Sequence, residues 1–317
     1  MRVAEQEFDH LASLNAAQRQ AAEYGKEQDA GAFRAGPLLV IAGAGTGKTM
    51  TLAHRVAHLL LMGVSPERVL LLTFTRRAAQ EMTRRVENIV RASTRDANPL
   101  PSGGLPWSGT FHSIANRLLR RFARNLGLDP GFSVLDRGDA ADMLDVVRHE
   151  QKLTKTSRRF PKKDTCLAIY SRCVNTQKPL ADTLDQTYPW CSDWSDELGE
   201  LFRHYVLRKQ QNQSLDYDDL LLYWSHLVAE PEFAQEIGAW FDHVLVDEYQ
   251  DTNLVQAQIL NALKPSGDGL TVVGDDAQSI YSFRAAEVEN ILGFPDQYMP
   301  SARVITLEQN YRSNQPI

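Results

Sequence analysis

The sequence predicts an α/β protein: a parallel β-sheet flanked by helices and interrupted by a mostly helical inserted subdomain. Three observations carry this. Short Val/Ile/Leu-rich runs alternate with helical patterns, as in doubly wound sheets whose strands are buried on both faces. Polar and glycine-rich clusters follow those runs, at the carboxyl ends where parallel sheets gather ligands. From about residue 127 to 210 the alternation stops and helical spacing takes over.

The elements follow in order. Strands are expected at 38–41, 69–74, 109–111, 244–246, 270–273 and 304–307, and helices at 50–62, 77–90, 113–126 and 254–263. Between the third and fourth strands, Met143, Leu144 and Val147 fall at helical spacing, as do Leu198, Leu201, Phe202 and Tyr205. The 317 residues, 43% of them hydrophobic, suffice for two domains or one large domain with an insertion. The boundaries expected are 1–126 and 211–317 for the α/β lobe and 127–210 for the insertion. Asn15 is placed to cap a helix beginning at Ala16.

The most informative segment follows the first buried strand: Ala42-Gly43-Ala44-Gly45-Thr46-Gly47-Lys48-Thr49. A strand, a glycine-rich turn and a helix start form the context of a phosphate-binding loop. Glycines let successive backbone N–H groups turn inward around an anion, and the helix dipole adds to the field. Lys48 supplies a charge for the outer phosphates and the Thr49 hydroxyl a Mg²⁺ ligand. ATP and Mg²⁺ are therefore the expected cofactors.

After the run Val244-Leu245-Val246 come Asp247 and Glu248. Asp247 is placed to bind Mg²⁺, and Glu248 to orient and deprotonate an attacking water. After Val272-Val273, the stretch Gly274–Arg284 contains Gln278, able to sense a γ-phosphate, and Tyr281 and Phe283, able to stack on unpaired bases. Phe74, Thr75 and Arg76 end one strand, and Phe111 and His112 end another. An aromatic face beside hydroxyl and cationic donors suits single-stranded nucleic acid. Tyr311 and Arg312 follow the last strand. For each aromatic, core packing is the competing explanation.

No apolar run approaches the roughly 18 residues of a membrane span, and the N-terminus lacks a signal peptide's apolar stretch, so a cytoplasmic protein is expected. Cys166, Cys173 and Cys191 are too few and too irregular for a disulfide framework or zinc site. The net charge of −6 gives no global attraction to nucleic acid. Locally, 151–178 holds eight basic residues and one acid, either a solvated loop or a phosphate-contacting surface.

Taken in order, these segments resemble the superfamily 1 DNA helicases of the UvrD/Rep/PcrA type. LNAAQ is similar to the adenine-reading Q motif, AGAGTGKT to motif I, LLTFTRRAA to Ia and GTFHS to Ib. DYDDLL at 216–221 is similar to the segment before motif II, VDEYQD to II, VVGDDAQSIYSFR to III and LEQNYRS to IV. The resemblance implies a RecA-like P-loop NTPase lobe of an ATP-driven motor moving 3′→5′ on single-stranded DNA and acting at single/double-strand junctions. Gln18 would read adenine and Tyr311 stack on it. Lys48, Thr49, Asp247, Glu248, Gln278 and Arg312 would form the hydrolytic site. Phe74, Thr75, Arg76, Phe111, His112, Tyr281 and Phe283 would line the DNA track.

The chain departs from the family pattern in three places. Ala277 stands where an aspartate is usual, Phe283-Arg284-Ala285 where tryptophan-arginine-glycine is usual, and Arg76-Arg77 where asparagine-lysine is usual. The chain also ends at Ile317, just after motif IV. The family's second motor lobe, which supplies an arginine finger worth roughly 10³–10⁵ in rate, is therefore expected as a partner, and these residues alone as a poor motor. Two other readings stay open: a P-loop ATPase that does not act on nucleic acid, and a nucleotide-dependent DNA-binding module without unwinding activity.

Overall fold

A computed structural model describes residues 9–27, 33–94, 104–155, 159–275 and 289–311. In chain order the elements are α1 (Ala16–Glu23), β1 (Lys26–Glu27), β2 (Phe33–Arg34), β3 (Leu38–Ala42), α2 (Lys48–Leu61), β4 (Val69–Thr73), α3 (Arg76–Ser93), β5 (Trp107–Thr110) and α4 (Phe111–Arg121). Then come β6 (Ser133–Val134), α5 (Arg137–Glu150), α6 (Lys163–Thr176), α7 (Leu180–Thr187), α8 (Ser195–Gln211), β7 (Ser214–Leu215) and α9 (Tyr217–Ala229). The chain finishes with α10 (Pro231–Gly238), β8 (His243–Val246), α11 (Leu254–Leu263), β9 (Leu270–Gly274), α12 (Glu289–Gly293) and β10 (Arg303–Leu307). None of the described helices is long and apolar enough to cross a membrane.

Contacts divide the chain into two compact units: Met1–Ile114 with Val228–Thr252 and Leu260–Ile317, and Ala115–Leu227 with Asn253–Ile259. The second unit begins before residue 127 and runs past residue 210, the bounds expected from patterning; α4, expected at 113–126, reads in sequence like a helix of the α/β lobe.

The first unit is built on a six-stranded sheet in the order β10-β3-β9-β8-β4-β5, every pair parallel. All six strands therefore end at one edge, and the polar segments that follow them are delivered to the same place. The four central strands β3, β9, β8 and β4 are near-continuous apolar runs, as burial on both faces requires, while the edge strands β10 and β5 are partly exposed. Val69, Leu70, Leu71 and Leu72 are completely buried, each contributing roughly 1.5–3 kcal/mol. Helix α2 packs into the same core through Leu52, Ala53, Val56, Ala57 and Leu59. Helix α3 is amphipathic, burying Ala79, Met82, Val86 and Val90, and starts where the Thr75 hydroxyl accepts from the Ala78 N–H at 3.0 Å.

The second unit is helical apart from the short parallel pair β6–β7. Its core gathers Leu144, Val147, Ile169, Leu198, Leu201 and Tyr205. Beside that core lies a buried charge cluster. The Lys209 ammonium donates to Asp216 Oδ2 at 2.7 Å and to Asp219 Oδ2 at 2.6 Å, and sits 4.9 and 4.5 Å from the ring centroids of Tyr170 and Tyr205. The two aspartates also cap each other's backbone, Asp216 N to Asp219 Oδ2 and Asp219 N to Asp216 Oδ1, both at 2.9 Å. Burial alone would lower the Lys209 pKa, but the carboxylates more than offset this and hold it above its ordinary value.

Replacing Lys209 with Met strands two buried carboxylates, which should cost about 3–5 kcal/mol near pH 8. Burial already holds the Asp219 carboxyl up at about 6 against the pull of Lys209, so removing the ammonium raises it further above the unfolded value near 4. The folded state then holds protons that the unfolded state lacks, so stability falls as pH rises. Urea midpoints of Lys209→Met should therefore trail the wild type far more at pH 8 than at pH 5; equal deficits at both pH values would contradict this account.

Candidate active site

The glycine-rich loop leaves β3 at Ala42 and enters α2 at Lys48. Two of its residues adopt left-handed backbone, Gly45 at φ 80° and Gly47 at φ 89°. At Gly47 a side chain is excluded twice over, because a Cβ there would also lie 2.7 Å from Gln18 Nε2. The carbonyls of the loop are tied outward. Asn310 Nδ2 donates to Ala44 O at 3.1 Å, Tyr311 N to Gly45 O at 2.9 Å and Gln18 Nε2 to Thr46 O at 2.9 Å. Thr46 closes the turn internally, its hydroxyl donating to Gly43 O at 2.8 Å. Outward carbonyls leave the N–H side of the loop for an anion.

Gln18 is 4% exposed. Besides its bond to Thr46, its Oε1 accepts from Asn15 N at 3.0 Å, and Asn15 Oδ1 accepts from Gln18 N at 2.9 Å, a reciprocal capping box. The residue expected to read adenine is thus also part of the loop's scaffold, with one N–H and one lone pair left over. Asn15 Nδ2 reaches the Tyr311 hydroxyl at 2.9 Å, and the Tyr311 side chain is otherwise exposed, at 56%. The helix cap, the loop and the segment after β10 therefore form one group.

Strand β8 delivers the acidic pair. Asp247 is buried, and its N–H continues the ladder to Leu72 O at 2.9 Å. Glu248 turns into left-handed backbone, φ 52°, uncommon for a residue with a side chain. That turn brings its Oε2 to 3.1 Å from Lys48 Nζ. The same oxygen accepts from Gln250 Nε2 at 2.8 Å, and Gln250 Oε1 accepts from Asp275 N, at the end of β9, at 3.0 Å. Three neighbouring strands, β3, β9 and β8, are thus joined at their carboxyl ends by Lys48, Asp275, Gln250 and Glu248. Gln250 and Asn310 lay inside segments singled out in the sequence yet were assigned no role. Their signal was a carboxamide among buried neighbours, which only geometry distinguishes from a solvated one.

Among the described residues Asp247 makes no ion pair. Burial, together with the charge of Glu248, pushes its carboxyl up to about 7, with Lys48 pulling the other way. Thr49, half-buried in the first turn of α2, adds a hydroxyl. A hydroxyl and a buried carboxylate, both hard oxygen donors, fit Mg²⁺ shared with phosphate oxygens. Among the described residues there is no group of three or more His, Cys, Asp or Glu side chains that could hold a metal.

The expected DNA-facing residues are placed unevenly. Phe74 exposes 37% of its surface, at the carboxyl edge beyond β4. Thr75 caps α3 with its hydroxyl, and Arg76 opens that helix. Phe111 is buried at 6% exposure, so its ring serves the core. His112, half-buried in α4, is pushed down to about 4 by burial and is neutral at physiological pH. Gln278, Tyr281, Phe283 and Arg312 lie outside the described residues, as do Ala277, Arg284 and Ala285. In the basic stretch, Lys163 is held by Asp142 and Lys178 donates to Gln186 at 3.1 Å, while Lys152, Arg159 and Lys162 are exposed.

Comparison with known proteins follows the same line. The family described as UvrD/REP helicase N-terminal domain matches residues 23–299. The ATP-dependent DNA helicase PcrA of Bacillus subtilis (strain 168) is 36% identical over 293 residues, which is 92% of this chain and 38% of that protein. Staphylococcus aureus (strain Mu50) PcrA is 38% identical over 285 residues, 89% of this chain and 37% of that protein. Staphylococcus epidermidis (strain ATCC 12228) PcrA is 35% identical over 285 residues, with the same coverage. The chain thus spans under two fifths of the length of these curated relatives.

The loop geometry makes a paired prediction. Gly47→Ala carries left-handed strain of about 1–2 kcal/mol and displaces Gln18. It should lower the melting temperature and weaken binding of a fluorescent ATP analogue at least tenfold. Gly63→Ala has similar strain, φ 88°, with nothing within 4 Å of the added carbon. It should lower the melting temperature and leave nucleotide affinity within twofold. Equal effects of the two variants on affinity would sever the link between Gln18 and the loop.

Proposed function

The chain belongs to the UvrD/REP helicase N-terminal domain family, and from that premise we propose that it is the ATP-binding motor lobe of an ATP-dependent DNA helicase. The observation that carries the reading is the joined edge of β3, β9 and β8. There Lys48, Glu248, Gln250 and Asp275 form one hydrogen-bonded chain beside a loop whose carbonyls are tied away from the anion.

In this reading the loop amides of 43–48 and the Lys48 ammonium hold the β- and γ-phosphates. Bound Mg²⁺ would neutralise phosphate charge, held by Thr49 and Asp247. Glu248 orients the attacking water and accepts its proton; Gln250 and the left-handed backbone fix the direction of its carboxylate. Lys48 shares its charge between Glu248 and the nucleotide, so arrival of the triphosphate loosens the 3.1 Å pair and frees Glu248 for the water. Phosphoryl transfer depends on such positioning and electrostatics. Gln278 and Arg312 sense and stabilise the γ-phosphate, Gln18 and Tyr311 take the adenine, and Phe74, Tyr281 and Phe283 contact bases.

The track binds single-stranded DNA and single/double-strand junctions, with 3′→5′ movement. The helical unit is an inserted subdomain of this lobe. The opposite wall of the nucleotide cleft belongs to a second motor lobe, in keeping with relatives more than twice the length of the matched region. The 317 residues by themselves therefore bind nucleotide and DNA but turn ATP over slowly.

Titration of labelled single-stranded DNA at two salt concentrations, with and without a non-hydrolysable ATP analogue, checks this reading. Binding should weaken with salt and shift with nucleotide; no binding at low salt would sink it. In a form containing both lobes, Glu248→Gln should keep ATP affinity within about threefold and lower turnover by at least about 10². Unchanged turnover would remove Glu248 from its role as base.

A further inference from the structure

A cavity of about 810 Å³ lies in the first unit at the end of the sheet opposite Lys48. Strands β3, β8 and β9 begin there, at Leu38, His243 and Leu270. Its volume falls within the range of small-molecule sites. Lys26, Arg34 and Lys264 all border it.

The charges around it are unequal in their partners. Glu23 and Asp242 also border the cavity, but each is engaged by an arginine, Glu23 by Arg19 at 3.0 Å and Asp242 by Arg68. Asp268 accepts from Ser266 Oγ at 3.0 Å. Among the described residues Lys264 donates to carbonyls, Phe241 O at 2.5 Å and Gly238 O at 3.5 Å. Among the described residues Lys26 and Arg34 make no ion pair, and both are exposed. Three cations without a bound carboxylate therefore border one hollow.

Gly25, Gly36 and Gly269 border the cavity, but Phe33, the Tyr24 hydroxyl and Asp242 O stand where their side chains would go, so these glycines serve the packing of the wall. One further feature describes what would fit. His243, also on the border, is 1% exposed; its Nε2 faces Phe33 O at 3.3 Å, and its Nδ1 has no hydrogen-bond partner. Burial pushes this imidazole down to about 4, so it is neutral and Nδ1 is a buried acceptor. Cations with an unused acceptor beside them suit an anion that also carries a hydroxyl or N–H donor.

We propose that this cavity is a second, non-catalytic site that takes a small phosphate-bearing molecule through Lys26, Arg34 and Lys264. It is separated from the phosphate loop by the length of the sheet and does not use Lys48.

Calorimetric titration of the 317-residue chain with pyrophosphate tests this. The wild type should show two binding phases. Lys48→Ala should remove one, and the double variant Lys26→Ala/Arg34→Ala should weaken the other at least tenfold while the Lys48 phase persists. The charge-keeping pair Lys26→Arg/Arg34→Lys should retain both phases, which guards against a folding defect in the alanine pair. A single phase abolished by Lys48→Ala, or a Lys48-independent phase untouched by the alanine pair, would overturn the proposal, as would no Lys48-independent phase at millimolar pyrophosphate.

Discussion

A backbone nest holds an anion only if its carbonyls point elsewhere, and the geometry at Ala44, Gly45 and Thr46 meets that condition with donors from two distant segments. Asn310 and Tyr311 come from beyond β10, and Gln18 from the first turn of α1. Any one of these carbonyls turned inward would set an oxygen dipole against phosphate oxygens. The arrangement depends in turn on the sheet. Because β10 lies beside β3 with Leu307 opposite Ala42, the chain leaving β10 passes directly along the loop leaving β3. On the other side, β9 and then β8 present Asp275 and the acidic pair to the same edge. Strand order thus decides both what shapes the loop and what faces it.

That edge stores a conformational cost. Left-handed backbone at a glutamate costs of the order of 1–3 kcal/mol. It persists because three partners fix the residue: the Lys48 ammonium, the Gln250 amide, and Asp247 Oδ1, which accepts from Glu248 N at 3.1 Å. Charge-assisted hydrogen bonds are strong enough to offset such a strain. Rotating Glu248 into an ordinary conformation would move the carboxylate off Lys48 and uncouple β8 from Gln250 and β9.

Most of this was legible in the sequence for identifiable reasons. Continuous apolar runs marked β3, β4, β8 and β9, since burial on both faces removes the alternation that makes other strands ambiguous, whereas the edge strands β5 (Trp107–Thr110) and β10 (Arg303–Leu307) carry polar residues. The loop, Lys48, Asp247 and Glu248 were legible because their residue types at strand ends have few other uses. Strand order was not, because adjacency is decided by crossovers rather than by local composition. The pins on the loop were hidden for the same reason: Asn310 is 266 residues from Ala44. Phe111 shows the opposite limit. An aromatic at a strand end looks the same whether it packs inward or stacks on a base, and only its burial separates the two.

The two acidic groups of this chain show what separates a structural carboxylate pair from a reactive one. Asp216 and Asp219 lie in the DYDDLL segment that precedes β8 in sequence. In the structure each caps the other's backbone, and both contact the Lys209 ammonium, although burial still holds the Asp219 carboxyl up at about 6. Asp247 and Glu248 are adjacent in sequence, but among the described residues the ammonium beside them, Lys48, bonds only Glu248. Asp247 is left buried and short of a cation, which burial and its neighbour's charge express as a raised pKa. What differs is the ion pairing: Lys209 reaches both Asp216 and Asp219, whereas Lys48 reaches Glu248 and, among the described residues, Asp247 has no ion pair, which leaves room for a divalent ion and the phosphates it would carry.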